Sequence, residues 1–378
     1  MKTLFTIDLK NYGTDWVRSR RDSARAIIRL GDDKLALVYA KKLGYYKFPG
    51  GGINEGEDKL SALVREVQEE VALTVIPETI REYGVVHRFQ KSGKAPDTVF
   101  VQDSFYYTCD VEKIAEGSEL SCLKITKQKL DDYEDLAGFE LRVVSIKEAI
   151  ETNRNYKYTN DFNIAMIARD TRVLEQMLGI PSEPSRCMAE LLLEEAVAKN
   201  PGPWREHSYA VAQSAEKIAL AVNKNCNEEK LNPNLAYIYG LLHDIGRQEG
   251  VTYIAHVYDG YHFLIELGYE KAAQICLTHS FNLQITDDYI GKIDISQEKM
   301  EEIKTLLASV KYDDYDRLIQ LLDSCCGADG TKDLEKRMGD VKTRYGYYPQ
   351  AKWDKNFELK EYFEKLAGQD LYEIIDNY

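Results

Sequence analysis

The hydrophobic pattern of the chain changes period once, and that change limits the fold more than any other feature. Up to about residue 150, short runs rich in Val, Ile, Tyr and Phe stand between turn residues: SARAIIRL, KLALVYA, REYGVVHRF, TVFVQDSFYYTC and FELRVVS. Such runs read as strands. One helical stretch lies among them, so this half reads as an α/β domain. Beyond Met188 a 3.6-residue period takes over in MAELLLEEAVAKN, WREHSYAVAQSAEKIALAV and NLAYIYGLLHDIG, which reads as all-α. Between the two, Asn160 to Leu178 reads helical, and IPSEPSR (Ile180 to Arg186) has the composition of a linker. The expected organisation is an α/β domain over 1–158, a helix and linker over 159–186, and an all-α domain over 187–378. The charged, aromatic stretch from Thr331 to Tyr378 is attached to the last of these.

Length agrees: 378 residues suit about two domains at roughly 150 residues each. No apolar run approaches the roughly 20 residues of a membrane helix, and the start, MKTLFTIDLKNYGTDW, lacks the apolar core of a signal peptide. The expected setting is cytoplasmic, with no membrane partner. Seven scattered cysteines without a Cys-x-x-Cys pair suggest buried thiols rather than disulfides or a zinc knuckle. A formal charge of −14 argues against a nucleic-acid polymer as partner, since counterion-driven binding needs clustered Lys and Arg. A site for a small nucleotide, its charge offset by metal ions, stays open.

The stretch FPGGGINEGEDKLSALVREVQEE (Phe48 to Glu70) carries the first chemistry. On a helical wheel Leu60, Leu63, Val64, Val67 and Val71 share one stripe, suited to packing on a sheet. Glu66, Glu69 and Glu70 share another face, where each like-charge pair costs about 0.2–0.5 kcal/mol unless a cation offsets it. Hard oxygen ligands of this kind suit Mg2+ shared with substrate phosphates, and the loop Gly50-Gly51-Gly52 lets backbone approach such a ligand closely.

From Gly51 there are five residues to Glu57, seven more to Arg65-Glu66-Val67, one to Glu69-Glu70, and Leu73 after a further two. This spacing resembles the Nudix box, and Phe48-Pro49-Gly50 resembles its usual approach. The resemblance implies an α/β/α sandwich with a mixed sheet and hydrolysis of a nucleoside diphosphate linked to another moiety. Glu66, Glu69 and Glu70 would hold Mg2+ and help activate water, Glu57 would support the site, and Arg65 would orient a glutamate by an ion pair. One position departs: the family has glycine where this chain has Ala72, at the helix exit, which removes no metal ligand.

Five of the six histidines fall between 207 and 279. His207 shares a helical stripe with Val211, Ile218 and Val222. His243-Asp244 ends the apolar run NLAYIYGLL, which begins with Asn232-Pro233 as cap and first turn. A carboxylate there needs a partner, because an unpaired buried charge costs several kcal/mol. The order His207, His243-Asp244, Asp323 with the sequence HDIG resembles the HD-domain phosphohydrolases, over about 187–330. That family is all-α and metal-dependent. The resemblance implies that His207, His243, Asp244 and Asp323 hold one metal and that His262, in DGYHFLIELGY, and His279, in CLTHSF, complete a second site. The ligand types suit Mn2+ or Fe2+. His256 reads as a substrate or surface residue, Arg247 as a candidate phosphate contact, and His87 as structural.

Together these readings point to a bifunctional nucleotide hydrolase. Two alternatives stand beside it. In one, the first domain senses a nucleotide and only the HD-type domain is a catalyst. In the other, the metals are structural, against which the absence of tetrahedral Cys/His spacing weighs.

Overall fold

The computed structural model describes residues 1–157 and 161–376. The chain forms two compact units, Met1–Met188 with Glu266–Gly268, and Ala189–Ile265 with Tyr269–Tyr378. The expected boundary at 158/159 lies outside the described residues.

The first unit is built on one mixed sheet. Its strands are β1 (Thr3–Asp8), β2 (Val17–Arg20), β3 (Ser23–Arg29), β4 (Lys34–Ala40), β5 (Tyr45–Lys47), β6 (Gly50–Gly52), β7 (Arg81–Lys91), β8 (Thr98–Thr108) and β9 (Phe139–Ser145). The order is β1-β7-β8-β3-β4-β5, with β2 on β8, β6 on β3 and β9 on β4. β1 runs parallel to β7, and both β2 and β3 parallel to β8; the other pairs are antiparallel. The helices are α1 (Lys59–Val71), α2 (Asp132–Ala137), α3 (Ile146–Arg154) and α4 (Asp161–Leu178).

Two neighbouring residues of β8 show where the helices lie. The ammonium of Lys59, on α1, sits 3.5 Å above the Phe105 ring, while the Tyr106 hydroxyl donates to Asp170 of α4 at 2.5 Å. Adjacent strand residues point to opposite faces, so α1 and α4 cover opposite sides of the sheet. The region read as helix and linker thus includes a helix packed in the first unit.

α1 starts where Asp58 accepts hydrogen bonds from the amides of Leu60 and Ser61. Leu63, Val67 and Val71 are fully buried as their stripe predicts, but Leu60, in the first turn, is 43% exposed. The triple glycine, expected as a loop, forms strand β6 against β3. This is a close-approach strand: a Cβ on Gly51 would lie 2.3 Å from a Glu66 carboxylate oxygen.

The second unit is helical: α5 (Arg186–Lys199), α6 (Trp204–Cys226), α7 (Pro233–Leu242), α8 (Ala255–Leu267), α9 (Glu270–Thr278), α10 (Gln297–Ser309), α11 (Asp314–Cys325), α12 (Leu334–Tyr345), α13 (Gln350–Ala367) and α14 (Leu371–Asp376), with a short β10–β11 hairpin (Cys326–Gly327, Gly330–Thr331). α6 is its centre, packing on α7, α11, α13 and α14. Its inward stripe holds Val211, Ile218 and Val222, all fully buried. α7 begins at Pro233 after Asn232, whose side chain accepts from the Leu235 amide at 3.0 Å. Among the described residues no helix is long and apolar enough to cross a membrane. Among the described residues no cysteine forms a disulfide.

Candidate active sites

In the first unit the acidic face of α1 meets β6. Glu70 accepts from the Gly50 amide at 2.8 Å and pairs with Lys47, both side chains being buried. Arg65 organises the rest. Its guanidinium donates to both oxygens of Glu57 at 2.8 and 2.9 Å, to Glu66 at 2.7 Å, to Glu69 at 3.0 Å and to the Gly52 carbonyl at 3.1 Å. The hydrogen bonds from Arg65 and the Asn54 amide hold the Glu57 carboxyl down at about 2.

The cluster able to hold a metal here is Glu66, Glu70 and Glu134, with one oxygen of each within 4.8 Å of the others. Glu69 is instead the most exposed of the box glutamates, held by Arg65. Burial, and then repulsion from Glu70, pushes the Glu66 carboxyl up. Burial likewise pushes Glu134 up to about 7. Carboxylates crowded away from water are a set that a divalent cation fits. The sequence reading missed Glu134 because its role there is local: it closes a capping box with Asp131 at the start of α2. The acid-rich DDYED was the available signal.

Ala72 takes the left-handed conformation, φ +57°, that glycine would occupy more cheaply. Its carbonyl accepts from both the amide and the hydroxyl of Thr126, at 2.9 and 3.0 Å, which holds the turn. Next to Glu57 a cavity of about 890 Å3 is lined by three cations, Arg20, Arg21 and Lys59, and by five carboxylates, Asp22, Glu55, Glu57, Asp58 and Glu82. His87 is tied into the sheet by Asp103 at 2.6 Å and Thr3 at 3.2 Å.

In the second unit two triads adjoin, His207–His243–Asp323 and Asp244–His256–His279. His207 Nε2 is 3.0 Å from Asp323 Oδ1 and 3.2 Å from His243 Nε2. Asp244 Oδ1 faces His256 Nε2 at 3.2 Å and His279 Nε2 at 3.7 Å and is buried without a well-aligned hydrogen-bond donor. Asp244 Oδ2 accepts from Arg247 at 2.6 Å.

The tautomers follow from the backbone. His243 Nδ1 donates to Gly240 O at 2.7 Å, His279 Nδ1 to Cys276 O at 2.8 Å, and His256 Nδ1 to Tyr253 O. A carbonyl only accepts, so each Nδ1 carries a hydrogen and each ring turns its Nε2 into the cluster. Lone pairs facing one another beside an unsatisfied carboxylate oxygen fit a cation, and the imidazole-rich set suits a transition metal. Burial opposes charge at Asp244, but Arg247 outweighs it and holds that carboxyl well below its usual range. Burial opposes charge at Asp323 too, where His207 and His243 win in the same way. Burial pulls His279 down to about 3, which keeps it neutral.

His262 is not brought to this cluster. Its Nε2 is 3.1 Å from Glu302, and its side chain is 36% exposed. His256 stands in the place the sequence reading gave to His262. Both are on α8, but six residues turn about 600° and advance about 9 Å along a helix, so only one of them can face Asp244. Gly246 of HDIG sets the approach: a Cβ there would lie 2.0 Å from the His256 carbonyl oxygen.

An HD domain model matches residues 204–327, and a NUDIX domain model matches residues 19–157. The chain carries a NUDIX domain followed by an HD domain. Both families are hydrolases and metal-dependent, and the protein is a metal-binding hydrolase with a pyrophosphohydrolase-type and a phosphohydrolase-type domain. No curated protein sequence matches the chain. Among solved structures it is similar to a NUDIX hydrolase from Nitrosomonas europaea, at 18% identity, 41% of this chain, 90% of that one and a TM-score of 0.27. A structure from work on MutT of Aliivibrio salmonicida and Vibrio cholerae gives 16%, 41%, 99% and 0.25. The E. coli ORF135 protein gives 18%, 42%, 92% and 0.25. The NUDIX segment holds Glu57, Arg65, Glu66, Glu69, Glu70 and Glu134, and the HD segment holds both histidine triads.

Proposed function

We propose that the chain is a bifunctional nucleotide hydrolase of the cytoplasm. The NUDIX domain cleaves a nucleoside diphosphate derivative with Mg2+ on Glu66 and Glu70, joined by Glu134 where Glu69, held by Arg65, was expected. The HD domain hydrolyses a nucleotide phosphoester with one or two Mn2+ or Fe2+ ions on His207, His243, Asp244, His279 and Asp323, and with His256 where His262 was expected. The observation that carries this reading is that each unit holds a cluster of metal-type ligands, Glu66–Glu70–Glu134 in the first and the two histidine–aspartate triads in the second. Seven free cysteines support a reducing setting.

Bound metal would polarise a phosphoryl oxygen and lower the pKa of a coordinated water. The chain's own residues set up that chemistry. Arg65 fixes Glu57, Glu66 and Glu69 at once, and the cavity of about 890 Å3 has the size of a small-ligand pocket, roughly 300–1,000 Å3. In the HD domain three backbone carbonyls fix the rings of His243, His256 and His279. The products are chemically compatible, since a diphosphate cut releases a monophosphate that the second centre can hydrolyse.

The test is a metal-supplemented screen of nucleotide substrates, reading phosphate and pyrophosphate separately. Asp244→Ala should accumulate monophosphate. Glu70→Gln should leave the starting compound uncut yet still dephosphorylate added monophosphate. Equal phosphate release by Asp244→Ala and wild type defeats the two-step reading.

A further inference from the structure

The HD family segment ends at residue 327, but the wall of its site does not. A cavity of about 190 Å3 opens on His256 and Asp323, one member of each triad, and seven of its seventeen described lining residues come from α12, α13 and the turn between them. Asp323 is the only carboxylate among its described lining residues, against Arg247, Arg337, Arg344 and Lys352. Two of these cations are already engaged. Arg247 is bonded to Asp244, and the Lys352 ammonium donates to the carbonyls of Ser280 and Asp288 at 2.6 and 3.1 Å. Arg337 and Arg344 form no ion pair among the described residues. Arg337 is aimed by its Nε, which donates to the Cys326 carbonyl at 3.3 Å, three residues past Asp323.

The segment is firmly seated. Lys352 grips Ser280, the residue after His279, and Asn356 accepts from Asn282 at 2.9 Å and donates to the Tyr348 hydroxyl at 3.0 Å. Met338, between the two arginines, is buried. Two guanidinium groups that form no ion pair among the described residues and line one cavity with His256 and Asp323 make a receptor for a compact dianion, which Arg binds by paired N–H donors.

We infer that residues 334–352 complete the HD site and that Arg337 and Arg344 bind the terminal phosphate of a phosphomonoester. This rests on the phosphohydrolase reading of the domain and narrows it. The cavity is smaller than the roughly 300–1,000 Å3 of pockets that enclose whole ligands. It therefore takes the phosphoryl end and leaves the remainder of the molecule outside. A terminal phosphate enters such a space with three unsubstituted oxygens, whereas a phosphodiester must carry chain on both sides of its phosphorus.

The experiment titrates inorganic phosphate into Mn2+-loaded full-length protein by calorimetry, comparing wild type with Arg337→Ala/Arg344→Ala. p-Nitrophenyl phosphate kinetics run alongside. Phosphate affinity should fall at least about tenfold, the loss expected for charge-assisted hydrogen bonds. kcat/KM should fall at least about tenfold, metal content and melting temperature should stay unchanged, and Arg337→Lys/Arg344→Lys should recover part of the affinity. If the alanine variant loses structure, each single Arg→Gln variant is read against the same criterion. Equal phosphate affinity in wild type and variants overturns the inference, as does a wild type that binds no phosphate. A wild type that binds phosphate through these arginines but cleaves no monoester leaves the inference standing and refutes the catalytic reading alone.

Discussion

His256 Nε2 and His279 Nε2 face each other at 3.2 Å while both rings spend their Nδ1 hydrogens on backbone carbonyls. Two lone pairs at that separation repel, and Asp244 Oδ1 beside them adds negative charge. A metal ion among the three relieves both repulsions. His256→Ala should therefore lose bound transition metal and His262→Ala should keep it, measured by elemental analysis after expression with Mn2+ or Fe2+. Equal metal in the two variants would contradict the placement of His256. Metal at about 100 times its Kd should add about 2.7 kcal/mol of stability, so chelation should lower the melting temperature of wild type more than that of His256→Ala.

Arg65 holds three glutamates and the Gly52 carbonyl at once. Arg65→Ala frees them together. A displacement of about 1 Å in such a site costs about 10²-fold in rate, so kcat for diphosphate cleavage should drop by about that factor. Glu57→Gln, which keeps the contacts to Glu66 and Glu69, should fall less. Steady-state kinetics at saturating Mg2+ decide it, and a smaller loss in Arg65→Ala than in Glu57→Gln would refute the hub role.

Glu134 was absent from the box pattern, yet it lies with Glu66 and Glu70. Glu134→Gln should raise the Mg2+ concentration required for half-maximal cleavage by about tenfold, the low end of what removing a supporting group costs a metal site. An unchanged Mg2+ dependence would show that Glu134 only caps α2.

Ala72 stores backbone strain of about 1–2 kcal/mol in its left-handed turn. Ala72→Gly relieves it and loses some through the freer unfolded chain. The net gain should be about 0.5–1 kcal/mol by urea denaturation, with diphosphate cleavage unchanged. Destabilisation would mean that the Ala72 methyl, which is buried, contributes more by packing than the turn costs.

Asp170 is fully buried with Arg169, and burial opposes its charge, but Arg169 and Arg25 prevail and hold its carboxyl below the usual value. A depressed carboxyl contributes stability that is full above its unfolded pKa, about 3.9, and is lost as pH falls through the folded value. Asp170→Asn leaves Arg169 without its counter-charge and should cost about 3–5 kcal/mol near neutrality. Its stability should also fall less steeply than wild type on acidification below about pH 4. Urea midpoints from pH 3 to 7 test both parts, and parallel acid limbs would exclude Asp170 as their source.

Residues whose role depends on near neighbours were legible in the sequence. The stripe Leu63–Val67–Val71, the cap Asn232–Pro233 and the strands from SARAIIRL to FELRVVS needed only local spacing. His256 was misplaced because the start of α8 carries no local cap: its Tyr253 and Ala255 amides are bonded by Asp294 at 2.6 and 2.9 Å, about forty residues away in sequence. Without that partner TYIAHVYDG looks like a loop, and the helical register passes to His262. The glycine triplet looked like a loop for a similar reason, since its strand character comes from pairing with β3.

Asp170 also accepts from the Phe48 amide at 3.1 Å, so a residue of α4 fixes the approach to the glycine strand. Phe48 lies inside the matched NUDIX segment and Asp170 lies thirteen residues beyond it. The portable module is therefore longer than the recognisable one. A NUDIX domain cut at residue 157 and grafted elsewhere would bring its glutamates but leave behind the carboxylate that aligns the strand against which they act. A graft that keeps α4 transfers both.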